Sequence, residues 1–292
     1  MKKTILRTNG YKVIDDNEKG YIHIEPIPSD SELEQVYAEE YYGVEKSQYI
    51  EHTQEDIEWW ETSFKDRFDI FEKYCKTSKK ILDIGCGSGY FLNYGQQREW
   101  ECYGIEPSKL SSKHAKEMGL NVLTGVFKDG VYEQSSFDVV HMQDVLEHIN
   151  HPEKFLENVY KILKENGVLC IGVPNDFSPL QKILWENLGF KPWWVTAPTH
   201  INYFNPDSLK KLLTKLGFEI ALEESTFPME FFLLMGDDYI SEPTLGRKMH
   251  AKRKQFDITL SQYDNDLKRK LYQSLAALNL GREIIVYAKK RQ

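Results

Sequence analysis

The 292-residue sequence has only four cysteines, Cys75, Cys86, Cys102 and Cys170, and none falls in CxxC spacing. That excludes a disulfide framework and a cysteine-bound zinc site, and it predicts reduced thiols in a cytoplasmic protein. Long apolar runs are missing as well. None approaches the roughly 20 residues that cross a bilayer. The Thr4-Ile5-Leu6 run behind Met1-Lys2-Lys3 is too short for the core of a signal peptide. Neither a membrane span nor a leader is therefore expected. Basic charge is in deficit: 37 Lys and Arg stand against 45 Asp and Glu, a formal charge of −8. A nucleic-acid partner calls for a basic face, so none is expected. The group Lys248, Lys252, Arg253, Lys254 reads as a solvated helix face. No repeat, low-complexity tract or Pro/Gly/Ser linker divides the chain.

Apolar and ring-bearing residues are plentiful. At 41% hydrophobic and 13% aromatic the chain can bury a sizeable core and close an apolar pocket. Residues 1–30 read as short strands and turns, with Tyr21-Ile22-His23-Ile24 alternating. Residues 31–78 read as amphipathic helix, with Leu33, Val36 and Tyr37 on one face and Trp59, Phe64, Phe68 and Phe71 on another. From Lys80 short apolar runs alternate with helical stretches near 89–98, 108–118 and 152–165. The runs start at Ile81, Cys102, Asn121, Phe137 and Val168. That alternation predicts a parallel sheet covered on both faces. Asn166-Gly167 reads as the cap of the third helix. Beyond Pro174 come an irregular segment, a helix opened by Pro206-Asp207-Ser208, a strand from Phe218, a helical insertion near 244–278 and a last strand from Glu283. The Lys289-Lys290-Arg291 end reads as solubilising. We divide the chain into a strand/turn and helical cap over 1–77 and a main domain over 78–292, with lid insertions at about 175–205 and 228–280.

The stretch Ile81-Leu82-Asp83-Ile84-Gly85-Cys86-Gly87-Ser88-Gly89-Tyr90 is strand, glycine turn and helix start. Its spacing is GxGxG, and Tyr90 stands where a dinucleotide loop has its third glycine. Asp83, two residues before the turn, would repel a pyrophosphate and attract a cation. The loop therefore favours a ligand with a positive group and little negative charge, such as S-adenosylmethionine. Glycines let the backbone approach it, and the N–H groups at Gly89-Tyr90 are candidates to hold its carboxylate.

These residues resemble the class I S-adenosylmethionine-dependent methyltransferases. Glu106, closing the second strand in Gly104-Ile105-Glu106-Pro107-Ser108, matches the acidic residue that chelates the ribose hydroxyls. Phe137-Asp138-Val139-Val140 resembles the fourth strand, and Leu163 to Leu169 the turn into the fifth. Gln143-Asp144-Val145-Leu146-Glu147-His148 and Thr199-His200-Ile201-Asn202-Tyr203-Phe204 are similar to ubiquinone-biosynthesis-type O-methyltransferases. The resemblance implies an α/β fold. Its Rossmann-like seven-stranded mixed sheet has order 3-2-1-4-5-7-6 and an antiparallel last strand. N-terminal helices and a helical insertion before that strand complete it. The implied cofactor is S-adenosyl-L-methionine, leaving as S-adenosyl-L-homocysteine. Candidate cofactor residues are Asp83, Gly85, Cys86, Gly87, Gly89, Glu106, Val126, Phe127, Gln143 and Asp144. Where many relatives hold an adenine-binding acid, this chain has Thr124-Gly125-Val126-Phe127-Lys128-Asp129. Val126 and Phe127 are then expected to pack on the ring, with Asp129 the alternative acceptor.

The expected reaction is methylation of a small molecule, at oxygen in the first instance, with no nucleic acid involved and a homodimer allowed. His148 and His200 are the candidate bases, since a pKa near neutrality suits that role. A capping or packing role is the competing reading for each. Asp144, Glu147 and His148 have the composition of a divalent-metal cluster, but loop acids are common without one and no metal is assigned. Tyr41, Tyr42, Tyr49, Trp59 and Trp60 are candidates to cover the cofactor. Trp193, Trp194, Tyr203, Phe231 and Phe232 are candidates for the acceptor side. Two rival readings are a catalytically silent methyltransferase-like module and an NAD(P)-dependent oxidoreductase.

Overall fold

The computed structural model describes residues 1–29, 32–33, 46–76 and 78–291, apart from the side chains of 46–49. Val36, Tyr37, Tyr41, Tyr42 and the side chain of Tyr49 lie outside the described residues. The strands are β1 (Lys2–Thr8), β2 (Tyr11–Asp16), β3 (Tyr21–Glu25), β4 (Lys80–Ile84), β5 (Glu101–Glu106), β6 (Asn121–Thr124), β7 (Phe137–Gln143), β8 (Leu163–Pro174), β9 (Asn202–Tyr203), β10 (Phe218–Ser225) and β11 (Glu283–Lys290). The helices are α1 (Lys46–Glu55), α2 (Ile57–Tyr74), α3 (Tyr90–Gln97), α4 (Lys109–Glu117), α5 (Pro152–Ile162), α6 (Pro179–Lys182), α7 (Pro206–Lys215), α8 (Glu230–Leu234), α9 (Pro243–Tyr263) and α10 (Asn265–Ala277).

Seven strands form the main sheet in the order β6-β5-β4-β7-β8-β11-β10. Numbered by appearance within that sheet, this is the expected 3-2-1-4-5-7-6. β4 runs parallel to β5 and β7, and β11 runs antiparallel to both β8 and β10. Side chains alternate between faces. Ile81, Val139 and Cys170 pack on one side with α2 and α3, whereas Leu82, Val140 and Leu169 pack on the other with α5 and α7. The continuous apolar runs thus reflect burial on both faces.

Helix α2 forms because its rings recur at helical spacing. It buries Trp59, Phe64, Phe68 and Phe71. The Phe68 ring lies 4.9 Å from Phe91, 5.5 Å from Phe71 and 5.6 Å from Trp100, which locks α2 against α3 and the start of β5.

Three local expectations need correction. Helix α5 stops at Ile162, because Leu163 is fully buried and already pairs with Phe137. Asn166 (φ 60°) belongs to an irregular stretch of β8, where pairing jumps from Phe137–Leu163 to Val139–Val168, so Asn166-Gly167 is no helix cap. Lys289 and Lys290 are the end of β11 rather than a free tail. Lys290 Nζ donates to Leu163 O at 2.8 Å, and Lys289 Nζ lies 4.1 Å from the centre of the Tyr74 ring.

A second sheet, antiparallel with order β1-β2-β3-β9, accounts for residues 1–25. Its last strand comes from the irregular segment beyond Pro174, pairing Ile22 with Tyr203 and His23 with Asn202. Val13, Ile24, Phe177, Trp194, Ile201 and Tyr203 form the core between this sheet and that segment.

Phe68→Ala is expected to cost about 3–5 kcal/mol of unfolding free energy, because the ring leaves a cavity that fixed neighbours cannot fill. Urea unfolding of the full chain measures it.

Candidate active site

Loops leaving β4, β5 and β7 emerge at one edge of the main sheet. The chain order reverses between β4 and β7, so these loops diverge and leave a crevice, the usual ligand position in such sheets. The crevice is a cavity of about 710 Å³. Asp83, Gly85, Cys86, Gly87, Glu106, Val126, Phe127, Gln143, Asp144 and His148 line it, which brings together ten of the twelve site residues expected from sequence.

Gly85 makes the turn possible. Its φ is 73°, its N–H donates to Ile105 O at 2.8 Å, and a Cβ there would come within 2.7 Å of the Val145 side chain. The Glu106 carboxylate ties this turn to the next. One oxygen accepts from Gly87 N at 2.9 Å and the other from Ser108 N at 2.8 Å. Glu106 is 4% exposed, so its oxygens are fixed at the cavity wall. Val126 is 58% exposed, while Phe127 is buried and meets Phe155 edge-on at 5.3 Å. Asp129 does not line the cavity; it pairs with Lys161 at 3.2 Å.

Two expected residues sit elsewhere. Gly89 faces away from the cavity: its N–H donates to Cys86 O at 3.0 Å, and a Cβ would clash with Leu120 and Ala115. It is a close-packing glycine between α3 and α4, and its N–H is not available to a ligand carboxylate. His200 lies behind His148, with ring centroids 4.8 Å apart, and is not part of the cavity lining. Burial first, then His148 and Arg282, push its pKa down to about 3. An imidazole of that pKa is neutral at pH 7 and a poor proton acceptor.

His148 is better disposed. Its Nδ1–H donates to Thr199 O at 2.7 Å, which leaves Nε2 as the basic nitrogen, 3.8 Å from Glu147 Oε1. The β9 segment holds this corner: Ile201 N donates to Glu147 O at 2.8 Å, and Asn202 Nδ2 to Ile149 O at 2.7 Å. Glu147 is 1% exposed, and neither carboxylate oxygen accepts a hydrogen bond. Burial, reinforced by Asp144, raises its pKa well above the carboxylate range. Asp144 is raised too, by its depth in the protein and by Glu283, although solvent reaches it through the cavity. Potential ligand atoms of Glu147, His148 and His200 lie within 4.8 Å of one another, so His200 takes the place that sequence spacing gave to Asp144.

Sequence reading missed two residues here. His141 stands level with Asp83 across the β4–β7 ladder and donates from Nδ1 to Asp83 Oδ1 at 2.7 Å. Its ring stacks on Phe91 at 4.1 Å. Burial lowers its pKa despite Asp83, so it serves as a neutral donor. A histidine within the apolar run Val139-Val140-His141-Met142 was the available signal. The other is Arg67 on α2, whose Nη2 donates to Gln143 Oε1 at 2.8 Å.

A second cavity of about 730 Å³ lies between α2, α9, α10 and the approach to β11. It shares Thr53, Trp60, Ser63, Arg67 and Gln143 with the first. Trp59 and Trp193 line it, whereas Trp194 and Tyr203 are buried under the small sheet, and Phe232 packs with Met229 and Met249.

A crevice at the switch point of a 3-2-1-4-5-7-6 sheet, walled by a glycine turn and a carboxylate at the end of the next strand, defines a nucleoside-type site. Comparison with known proteins agrees. Residues 49–223 match the family described as a methyltransferase domain. The ubiquinone biosynthesis O-methyltransferase of Azoarcus sp. is 30% identical over 56% of this chain and 78% of its own length. That of Caulobacter vibrioides is 28% identical over 49% of this chain and 60% of its own. A crystal structure of a SAM-dependent methyltransferase from Archaeoglobus fulgidus, at 20% identity, covers 83% of this chain and 99% of its own with a TM-score of 0.52, a likeness of fold. The chain belongs to the methyltransferase-domain family, in the class I S-adenosylmethionine-dependent group that its sequence resembles.

Replacing His141 with Phe keeps the stack on Phe91 but strands Asp83, which is 4% exposed. The expected cost is roughly 3 kcal/mol, the scale of a buried charge losing its donor, again read by urea unfolding.

Proposed function

We propose that this protein transfers the methyl group of S-adenosylmethionine to a hydroxyl of a small-molecule acceptor. The observation that carries the reading is the pair of cavities with a common wall at Trp60, Arg67 and Gln143. A cofactor in one and an acceptor in the other would meet there. The first cavity suits the cofactor chemically. Glu106 presents a fixed carboxylate to a ribose diol, Asp83 is an acid for the aminium end, and Val126 and Phe127 are an apolar surface for adenine.

The sulfonium supplies an already activated methyl group. The chain's task is then alignment, which is worth about 7–11 kcal/mol when the reacting atoms are held in line. A positioned base adds about 10²–10⁴-fold for a hydroxyl that must lose its proton. We assign that role to His148 and a structural role to His200. The strand/turn and helical cap over 1–77 and the insertions at about 175–205 and 228–280 are, in this reading, the parts that select the acceptor. The four unpaired thiols fit a reducing, cytoplasmic setting, and no described helix is long and apolar enough to cross a membrane.

Calorimetry with S-adenosylhomocysteine tests the cofactor site: Glu106→Ala is expected to weaken binding at least tenfold. Methyl transfer from labelled cofactor to a panel of hydroxylated acceptors tests the reaction. His148→Ala is expected to lower kcat by about 10²–10⁴-fold while changing cofactor affinity little. Tight cofactor binding with no product across the panel would favour a silent module instead.

A further inference from the structure

The second cavity is strongly ionic, and evenly so. Asp56, Asp66, Glu224, Asp257 and Glu283 line it. So do Arg67, Arg253, Lys268, Arg269 and Arg282. Most of these charges answer one another. Asp66 pairs with Lys268 at 2.7 Å and Glu224 with Arg269 at 2.7 Å. Asp257 lies 4.0 Å from Arg253 Nε and also accepts from Trp59 Nε1 at 2.8 Å and from the Tyr272 hydroxyl. Asp56 pairs with Lys254 at 2.6 Å, and Arg282 Nη1 lies 3.5 Å from Asp176; Lys254 and Asp176 stand behind the lining.

Two lining charges have no ion-pair partner among the described residues, Arg67 and Glu283, and they are of opposite sign. Arg67 lines the cofactor crevice as well, and in the methyl-transfer reading it answers the carboxylate of the cofactor. Glu283 is half-buried, opens β11 and lines the second cavity alone. Behind the lining, acids gather on Arg282. Burial works against its charge, yet Glu230, then Asp176 and Glu283, raise its pKa. Asp176 is only partly charged at neutral pH, because burial lifts its pKa to about 7. No positive surplus is therefore left for an anionic acceptor. Each lining acid has a base beside it or acting on it, which leaves none set apart for a cation.

An apolar acceptor would cover these ionic groups without replacing the water on them, which is costly for charges. A hydroxyl both donates and accepts, so a molecule carrying several of them replaces water at carboxylates and at guanidinium groups alike and leaves the pairs intact. Indole surface is present too: Trp60 and Trp193 line the cavity and are half-buried, and rings of this kind pack against the C–H side of such a molecule. The volume of about 730 Å³ admits it, since small-molecule sites run from about 300 to 1,000 Å³. We propose that the second cavity binds a neutral polyhydroxylated acceptor, a sugar or sugar-like polyol, with Glu283 accepting from a hydroxyl next to the one that is methylated and Trp193 packing on its C–H side. Glu283 has the right place for this. It stands level with Pro174 on the β8–β11 ladder, at the same edge from which Gln143 and Asp144 emerge, and it acts on Asp144. This inference rests on the methyl-transfer reading for the word acceptor, but the polyol cavity itself stands or falls separately.

The test uses the full chain, with and without saturating S-adenosylhomocysteine. It is titrated with methyl glucoside, methyl galactoside and methyl mannoside, with the uronic acid and the 2-amino analogue of each, and with catechol as a flat, less hydroxylated probe. Tryptophan fluorescence follows binding, since Trp59, Trp60 and Trp193 line the cavity. At least one neutral glycoside is expected to bind, about tenfold more tightly than its charged analogues and than catechol, the scale of one hydrogen bond to a charged group. Glu283→Gln is expected to weaken that glycoside by about tenfold and Trp193→Ala to weaken it as well, with affinity for S-adenosylhomocysteine unchanged and unfolding midpoints measured alongside. Catechol bound with no glycoside bound, or no binding by either, overturns the proposal. So does a uronic acid or amino sugar that binds as tightly as its neutral parent. Glycoside affinity unchanged in a folded Glu283→Gln overturns the role given to Glu283. Failure of S-adenosylhomocysteine to bind would instead sink the methyl-transfer reading, since glycoside binding is scored without it as well. A final arm offers the bound glycoside as acceptor to labelled cofactor. Methyl transfer is expected, and Glu283→Gln is expected to raise KM more than it lowers kcat.

Discussion

The site depends on one carboxylate held at the end of a strand. Glu106 accepts from the glycine turn after β4 and from the helix start after β5, so two loops that would otherwise move separately share one anchor. Both donors are backbone N–H groups, which no sequence change removes short of proline. A buried carboxyl group of this kind needs donors for both of its oxygens. Once the anchor is made, the crevice between β4 and β7 has a rigid wall.

The opposite wall is built from outside the sheet. The segment Thr199–Tyr203 joins the small antiparallel sheet through β9 and at the same time staples the turn after β7. The N-terminal strands thereby act at a distance on His148. They bury Trp194 and Tyr203, which fixes β9, which fixes Thr199 O, which sets the tautomer of the imidazole. A histidine held by a backbone carbonyl on one nitrogen presents a basic lone pair on the other.

The main sheet was legible because its signals are local. Strand, glycine turn, helix and a closing acid appear within Ile81–Glu106, and periodicity separates the remaining strands. What was not legible depended on contacts between distant segments. Gly89 looks like its neighbours Gly85 and Gly87, and only the approach of Leu120 and Ala115 makes it a packing residue. His200 matches a motif, but its depth makes it a weak base. β9 is two residues long and carries no strand pattern of its own. His141 looked like part of an apolar strand because its partner Asp83 is 58 residues away.

The same logic explains why the second cavity is the least readable part. Arg253 was taken for a solvated helix face, yet it is 7% exposed and lies 4.9 Å from the Trp59 ring. Charged residues are normally outside, so sequence alone assigns them there. They come inside only when several elements converge on one cavity, as α2, α9 and α10 do. The main crevice is written into one continuous stretch of strand, turn, helix and strand, since Asp83, the glycine turn and Glu106 all lie within it. Arg67, Arg253 and Arg282 are separated by 186 and 29 positions and come to line one cavity only in the folded protein. Their buried guanidinium groups do not stabilise the fold by themselves, because each must be stripped of water first. Of the three, Arg67 alone lines both cavities and so stands at their common wall.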